Sequence, residues 1–173
     1  MPEAVDYLMF ALLIGAGATV VMDIWAAARE RLLGIRPLDY ALVGRWLAHL
    51  VRGRVCHHPI AASPSVQGER LLGWIAHYLI GIAFAATLLA FWGLGWARHP
   101  TLGPALIVGI GSVAAPFFVM QPAMGAGIAA SRTPRPGVAR FHSVVTHGIF
   151  GLGLYGAGWV ASWLDSLPWR SFW

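Results

Sequence analysis

The sequence has no lysine, one cysteine and only 11% charged residues among its 173. A single cysteine, Cys56, excludes an intrachain disulfide, because a disulfide needs two. The absence of lysine indicates coding bias rather than function, since arginine supplies all 12 basic residues whatever position they occupy. The motifs HExxH, CxxC and HxxxH are missing, so ligand spacing gives no metal site.

Long apolar stretches dominate what is present. A helix that crosses a bilayer needs about 20 apolar residues, and in lipid its backbone groups must bond within the helix. A hydrophobic content of 58%, a mean hydropathy of +0.66 and 21 glycines agree with helices packed in lipid. The sequence therefore predicts an all-α polytopic membrane protein, a single membrane domain over 1–173 with four transmembrane helices. The predicted spans are 5–28, 71–96, 102–130 and 141–164.

The arginines predict the orientation of these spans. Ten lie between spans one and two or between spans three and four, whereas only Arg98 and Arg170 lie on the other side. The positive-inside rule then places the loop 29–70 in the cytoplasm of a bacterial cell and both termini on the periplasmic side of the inner membrane. Because the basic residues flank spans, the formal charge of +5 indicates a lipid bilayer as partner and no nucleic acid.

The loop 29–70 is predicted to contain an amphipathic helix that starts near Pro37. Its apolar residues recur at spacings of three and four, from Leu38 to Val51. The helix lies either on the cytoplasmic leaflet or against the underside of the bundle. The following His57-His58, with Cys56 and His49, forms a second candidate ligand cluster, although this pattern is more typical of a surface loop.

Pro116 and Pro122 interrupt span three. Each proline removes a backbone hydrogen bond, so a kink is expected around Gln121. Freed carbonyls in a membrane need neighbouring helices or water as partners, and irregular backbone at this depth therefore tends to line a protected cavity.

Polar residues share one depth in all four spans. Asp23, His77, Met124 and His147 lie six to eight residues inward from a cytoplasmic arginine, with Gln121 somewhat deeper. At about 1.5 Å per residue these positions are roughly 9–12 Å below the inner surface. A carboxylate at such depth is unfavourable by about 2.5–3.5 kcal/mol, so it should face the bundle interior.

Helical spacing also predicts that this polar layer points inward, because small residues recur at intervals of four on the same faces. By contrast, His142 and His147 should point apart and not chelate one ion. The rows are Ala11, Gly15, Thr19 and Asp23; Gly73, His77, Gly81 and Ala85; His147 and Gly151; Gln121 and Gly125.

Two interpretations of the polar layer remain open. The first is a ligand-binding site made of Asp23, His77, Gln121 and His147, with Met124 and Tyr78 beside it. The second is a structural hydrogen-bond network in which His77 donates to Asp23 and helices associate. Two histidines and a carboxylate would also suit a first-row transition metal, and His77 with His147 would suit haem. That metal alternative depends on Asp23, His77 and His147 meeting.

Several motifs resemble those of a small bacterial inner-membrane family known only as a domain of unknown function. The resemblance covers Asp23 to Tyr155 and implies a four-span inner-membrane protein without an established activity. The motifs are Met22-Asp23-Ile24-Trp25, Gly44-Arg45-Trp46, Gly68-Glu69, Gly73 to Tyr78, Gln121 to Gly125 and Ala130 to Pro134.

The leading hypothesis is therefore a binding or transport protein whose protonatable pocket opens to the cytoplasm and accepts a small polar or cationic ligand. A homo-oligomer or a membrane-protein partner is expected, because a chain of 173 residues is short for forming a transport pathway by itself. A metal- or haem-dependent redox protein using His77 and His147 is the alternative. An accessory subunit of a membrane complex, without catalysis, is the third.

Overall fold

The computed structural model describes residues 3–167, which are mostly helical and contain no β-strand. Two short 3₁₀ turns lie at Ile60–Ala62 and Ile128–Ala130. Four of the helices are long and apolar enough to cross a membrane, which confirms the predicted all-α fold. Arg170, used above for orientation, lies outside the described residues. The helices are α1 (Glu3–Leu33), α2 (Tyr40–Leu50), α3 (Glu69–Arg98), α4 (Leu102–Ala123) and α5 (Pro136–Ser166).

Small residues set the distances between the spanning helices. α1 packs against α3 and α5, and α4 packs against α5. A Cβ added at Gly15 would overlap the backbone of Ile82, and one at Gly109 would overlap Gly151. The predicted small rows of α1 and α3 therefore do face each other, because only glycine permits such close approach.

The helix α2 covers the start of α3. It begins at Tyr40 rather than near Pro37, because the side chain of Asp39 caps it by accepting a hydrogen bond from the Ala41 amide at 2.9 Å. Backbone contact at Gly44 holds it against α3. Of the two predicted placements, the structure therefore shows α2 packed on the bundle.

The same α2–α3 contact includes a bidentate ion pair. Arg45 donates to Glu69 from Nε at 2.9 Å and from Nη2 at 2.7 Å, and it also donates to the Ser63 carbonyl at 3.1 Å. The hydrogen bond to Glu69 raises the pKa of Arg45. This clamp fixes α2 and the preceding loop relative to α3.

The third span differs from its prediction. A π-helical turn occupies Pro116–Met120, and the helix ends at Ala123 instead of continuing to residue 130. Gly125 adopts φ of 96°, a left-handed conformation that ends a helix. Gln121 and Gly125 consequently do not form a helical row, and that expectation is wrong.

The other three spanning helices extend beyond the predicted bounds at both ends, to 3–33, 69–98 and 136–166. Hydropathy marks the apolar segment, whereas helical hydrogen bonding continues through flanking polar residues.

The two halves of the bundle have different interiors. Phe10, Ile14, Leu88 and Leu154 are fully or almost fully buried in an apolar core in the half that contains the start of α1. The opposite half contains the polar layer. We call its end the arginine-rich end, because α1 finishes there and α3 and α5 begin there, and it carries Arg29, Arg70, Arg132 and Arg140.

Replacing Gly44 with alanine should displace α2. The new Cβ would overlap the Glu69 carbonyl, and overpacking of this kind lowers the free energy of unfolding by about 1–3 kcal/mol. Thermal unfolding in detergent measures the effect. Gly95→Ala is the matched control, since a Cβ at Gly95 has no neighbour within 4 Å. Equal melting temperatures for the two variants would contradict the proposed close contact.

Candidate functional site

A carboxylate joins α1 to α3 within the polar layer. Asp23 Oδ1 lies 2.9 Å from His77 Nε2, and the Tyr78 hydroxyl donates to Asp23 Oδ2 at 3.1 Å. Both oxygens of the carboxylate are therefore bonded by neighbouring residues of one helix. In an apolar environment this satisfies a group that would otherwise be strongly unfavourable.

Tyr40 from α2 competes for the same histidine nitrogen. Its hydroxyl lies 3.0 Å from His77 Nε2, the atom that also faces Asp23. A ring nitrogen carries either a proton or a lone pair, so it cannot bond fully to both partners at once. Burial raises the pKa of Tyr40, which therefore keeps its proton. The position of the His77 proton decides which contact is strong.

A second polar pair joins α4 to α5. The Ser112 hydroxyl donates to the Gly109 carbonyl at 2.6 Å and lies 2.7 Å from His147 Nδ1. Since the single hydroxyl proton is already used, Ser112 accepts from Nδ1, and a neutral His147 then has a lone pair on Nε2. This arrangement leaves Nε2 as an acceptor.

His77 and the Ser112–His147 pair border a common small cavity of about 60 Å³. His77, His147, Ser112, Thr19 and Met22 all contribute to its lining. A space of this size is large enough for a water molecule. The structure therefore brings His77 and His147 to the border of one space.

A larger cavity of about 410 Å³ lies beside the small one, toward the arginine-rich end. His147 and Met22 line both cavities, and Tyr40 connects the larger one to the His77 contact. Its volume falls in the range of about 300–1,000 Å³ that is usual for small-molecule sites. The other polar residues around it are Arg29, Arg36, Gln121, His142, Ser143 and Thr146.

Irregular backbone positions one wall of this large cavity. The carbonyls of Ala123 and Met124, at the end of α4, accept hydrogen bonds from the amides of His57 at 2.8 Å and Ile60 at 3.0 Å. This loop holds Met124 and the preceding Gln121 in place. The expectation that the proline-interrupted backbone lines a cavity agrees with this arrangement.

Two buried polar atoms in the lining have no hydrogen-bond partner among residues 3–167. They are Oε1 of Gln121 and Nε of Arg29. Arg29 Nη1 donates to the Thr146 hydroxyl at 3.2 Å. A buried unsatisfied group is unfavourable by about 1–3 kcal/mol. Trp25 Nε1 and both ring nitrogens of His57 are also unsatisfied within the described part of the chain, but of these residues only Gln121 and Arg29 line this cavity.

The predicted site residues divide between these spaces. Gln121, His147 and Met124 line the large cavity, and His77 lines the small one. Asp23 and Tyr78 contact His77 from behind, so they hold the site rather than line it. His142 and His147, expected to point apart, both border the large cavity.

Sequence reasoning missed Arg29, Tyr40 and Ser112. The sequence pattern assigns Arg29 a role in membrane orientation alone, and it assigns Tyr40 no role. A usable signal existed for Arg29, since Met22, Ala26 and Arg29 repeat at helical spacing and all three line the cavity. Ser112 had no local signal, because its importance comes from contact with His147.

The metal alternative gains no support from this geometry. Within the part of the chain that the structure describes, no three His, Cys, Asp or Glu side chains come close enough to hold a metal ion. The space that His77 and His147 share measures about 60 Å³, far below the several hundred that a haem-sized ligand needs. In the second candidate cluster, His57 is buried edge-on to His49, whereas Cys56 and His58 are exposed.

The chain belongs to the family described as protein of unknown function DUF2938, whose model matches residues 12–161. This match confirms the resemblance inferred from the sequence motifs. No curated protein and no solved structure matches the chain. The family supplies no activity, so the function has to be argued from the site.

Removing the Tyr78 hydroxyl tests the contact between α1 and α3. Tyr78→Phe should lower the free energy of unfolding by about 0.6–1.7 kcal/mol, because an interhelical hydrogen bond to Asp23 is lost. Thermal unfolding in detergent checks this result. Tyr155→Phe serves as the control, because the Tyr155 hydroxyl makes no hydrogen bond within the described residues. If both variants unfold at the wild-type temperature, the Tyr78 contact contributes nothing.

Proposed function

We propose that the protein binds a small ligand in the large cavity and that binding, or transport, depends on the adjacent protonatable groups. The observation that carries the proposal is the pair of unsatisfied polar atoms, Gln121 Oε1 and Arg29 Nε, beside one cavity. A buried unsatisfied group lowers stability, so two such atoms on residues that line one cavity favour a ligand there over a purely structural network.

The position of the cavity favours access from the cytoplasm. It lies at the arginine-rich end, and Arg36 in its lining is exposed. The positive-inside rule supports a cytoplasmic location for this end, with both termini outside an inner membrane. A ligand would then enter from the cytoplasm, between the segment 35–40 and the start of α5.

The neighbouring network supports coupling to protonation. Tyr40 both lines the large cavity and contacts His77, and His77 in turn contacts Asp23. A change in the proton on His77 would shift Tyr40 between two hydrogen-bonding arrangements and so alter one wall of the cavity. This linkage is the physical basis for a protonatable pocket.

Cysteine accessibility tests whether the large cavity is open to water. Cys56 is replaced by serine, and Ser143 in the lining is replaced by cysteine in that background. A water-soluble methanethiosulfonate should modify Ser143→Cys at least about tenfold faster than Val144→Cys, because the thiolate is the reactive form and lipid disfavours it. Val144 is the adjacent control, 40% exposed on the outer surface of the bundle. Mass spectrometry measures both rates.

Sidedness is read from the same variants. The reagent should reach Ser143→Cys in inverted membrane vesicles and not in intact spheroplasts. Equal rates for Ser143→Cys and Val144→Cys would overturn the proposed cavity. Faster modification in spheroplasts would show that the protein has the opposite orientation in the membrane, but it would not contradict the cavity.

A further inference from the structure

We infer that the large cavity binds an amphipathic anion, with a carboxylate or phosphate head at Arg29 and an apolar body against the surrounding methionines. This inference rests on the proposed function, because it names the ligand class of the same cavity. It also reverses the sign of the charge expected from the sequence, which was that of a polar or cationic ligand.

Arg29 is a buried arginine without an ion-pair partner among the described residues. It is the one buried arginine among those the structure describes, at 9% exposure, whereas Arg31 on the same helix is exposed. Arginine is always charged, and a buried charge normally has an ion-pair partner. Of the ion pairs found among residues 3–167, none includes Arg29, whose only bonded partner is the neutral Thr146 hydroxyl.

The rest of the lining offers no internal counterion. It contains no aspartate or glutamate, and it adds the positive charge of Arg36 near the opening. Arg45 shows the contrast within the same chain, because its guanidinium is fully paired with Glu69. The missing anion at Arg29 is therefore supplied from outside the described protein.

The apolar part of the lining favours an amphipathic ligand over a free inorganic anion. Met22, Met120 and Met124 border the cavity together with Ile35 and Leu38. Methionine is flexible and polarisable, and it adapts to apolar groups of varied shape. An alkyl chain fits this surface, and its anionic head fits the unpaired donors of Arg29.

Protection of Ser143→Cys from modification provides the test. The protein, with Cys56→Ser, is placed in phosphatidylcholine nanodiscs and treated with decyl phosphate or, as the matched cation, decyltrimethylammonium. Decyl phosphate should slow modification by about tenfold or more, and the cation should not, since only the anion pairs with Arg29. Arg29→Gln should raise the decyl phosphate concentration needed by at least about tenfold. Arg31→Gln, an exposed charge on the same helix, should leave it unchanged.

Two further measurements test the inference if Arg29→Gln does not fold or if the anion is a bilayer lipid. If Arg29→Gln fails to fold, the comparison of anion with cation in the otherwise unchanged protein still tests the inference, and Arg29→Lys tests whether the charge alone suffices. Nanodiscs that contain phosphatidylglycerol separate the sources, because protection without added decyl phosphate identifies a bilayer lipid as the anion.

The possible failures are distinguishable. Equal reactivity of Ser143→Cys and Val144→Cys would remove the cavity and therefore the proposed function. The inference of anion binding would be wrong if the cation protected a reactive Ser143→Cys as well as the anion does. It would also be wrong if protection by decyl phosphate were unchanged in Arg29→Gln. Neither result would contradict the cavity itself.

Discussion

Hydrocarbon offers no hydrogen-bond partner, so polar groups within the four spans are stable only where the protein or a bound molecule supplies one. Asp23 shows the consequence most clearly, because His77 and Tyr78 bond both of its oxygens. That requirement fixes the level at which α1 meets α3. It also places His77 within reach of Tyr40, so the same group contacts α2 as well.

Small residues make these polar contacts possible. The hydrogen bond between Ser112 and His147 lies one turn from the close approach of Gly109 to Gly151, and the contact of His77 with Asp23 lies one turn from that of Gly81 to Thr19. Polar side chains of this length can bond across two helices only where the backbones are near each other. The close contacts that pack the helices therefore also position the polar side chains of the site.

The site forms where this close packing stops. The π-helical turn at Pro116–Met120 and the early end of α4 leave a gap between α1, α4 and α5, and the large cavity occupies it. Irregular backbone in a membrane is favourable only where protein or water satisfies its groups, and here the loop at His57–Ile60 does so. At this gap, Arg29 Nε and Gln121 Oε1 have no hydrogen-bond partner among residues 3–167.

The sequence by itself determined the number of helices long and apolar enough to span a membrane and the inward direction of Asp23, His77 and His147, because apolar length and helical periodicity are local properties of the chain. The end of α4 was not predictable in this way, since it depends on left-handed backbone at Gly125 and on a loop distant in sequence. Only the tertiary structure distinguished Arg29 from the other arginines and gave Ser112 and Tyr40 their contacts. An arginine at a helix end looks the same in sequence whether it faces water or a cavity, and which one it faces is decided by the helices packed beside it.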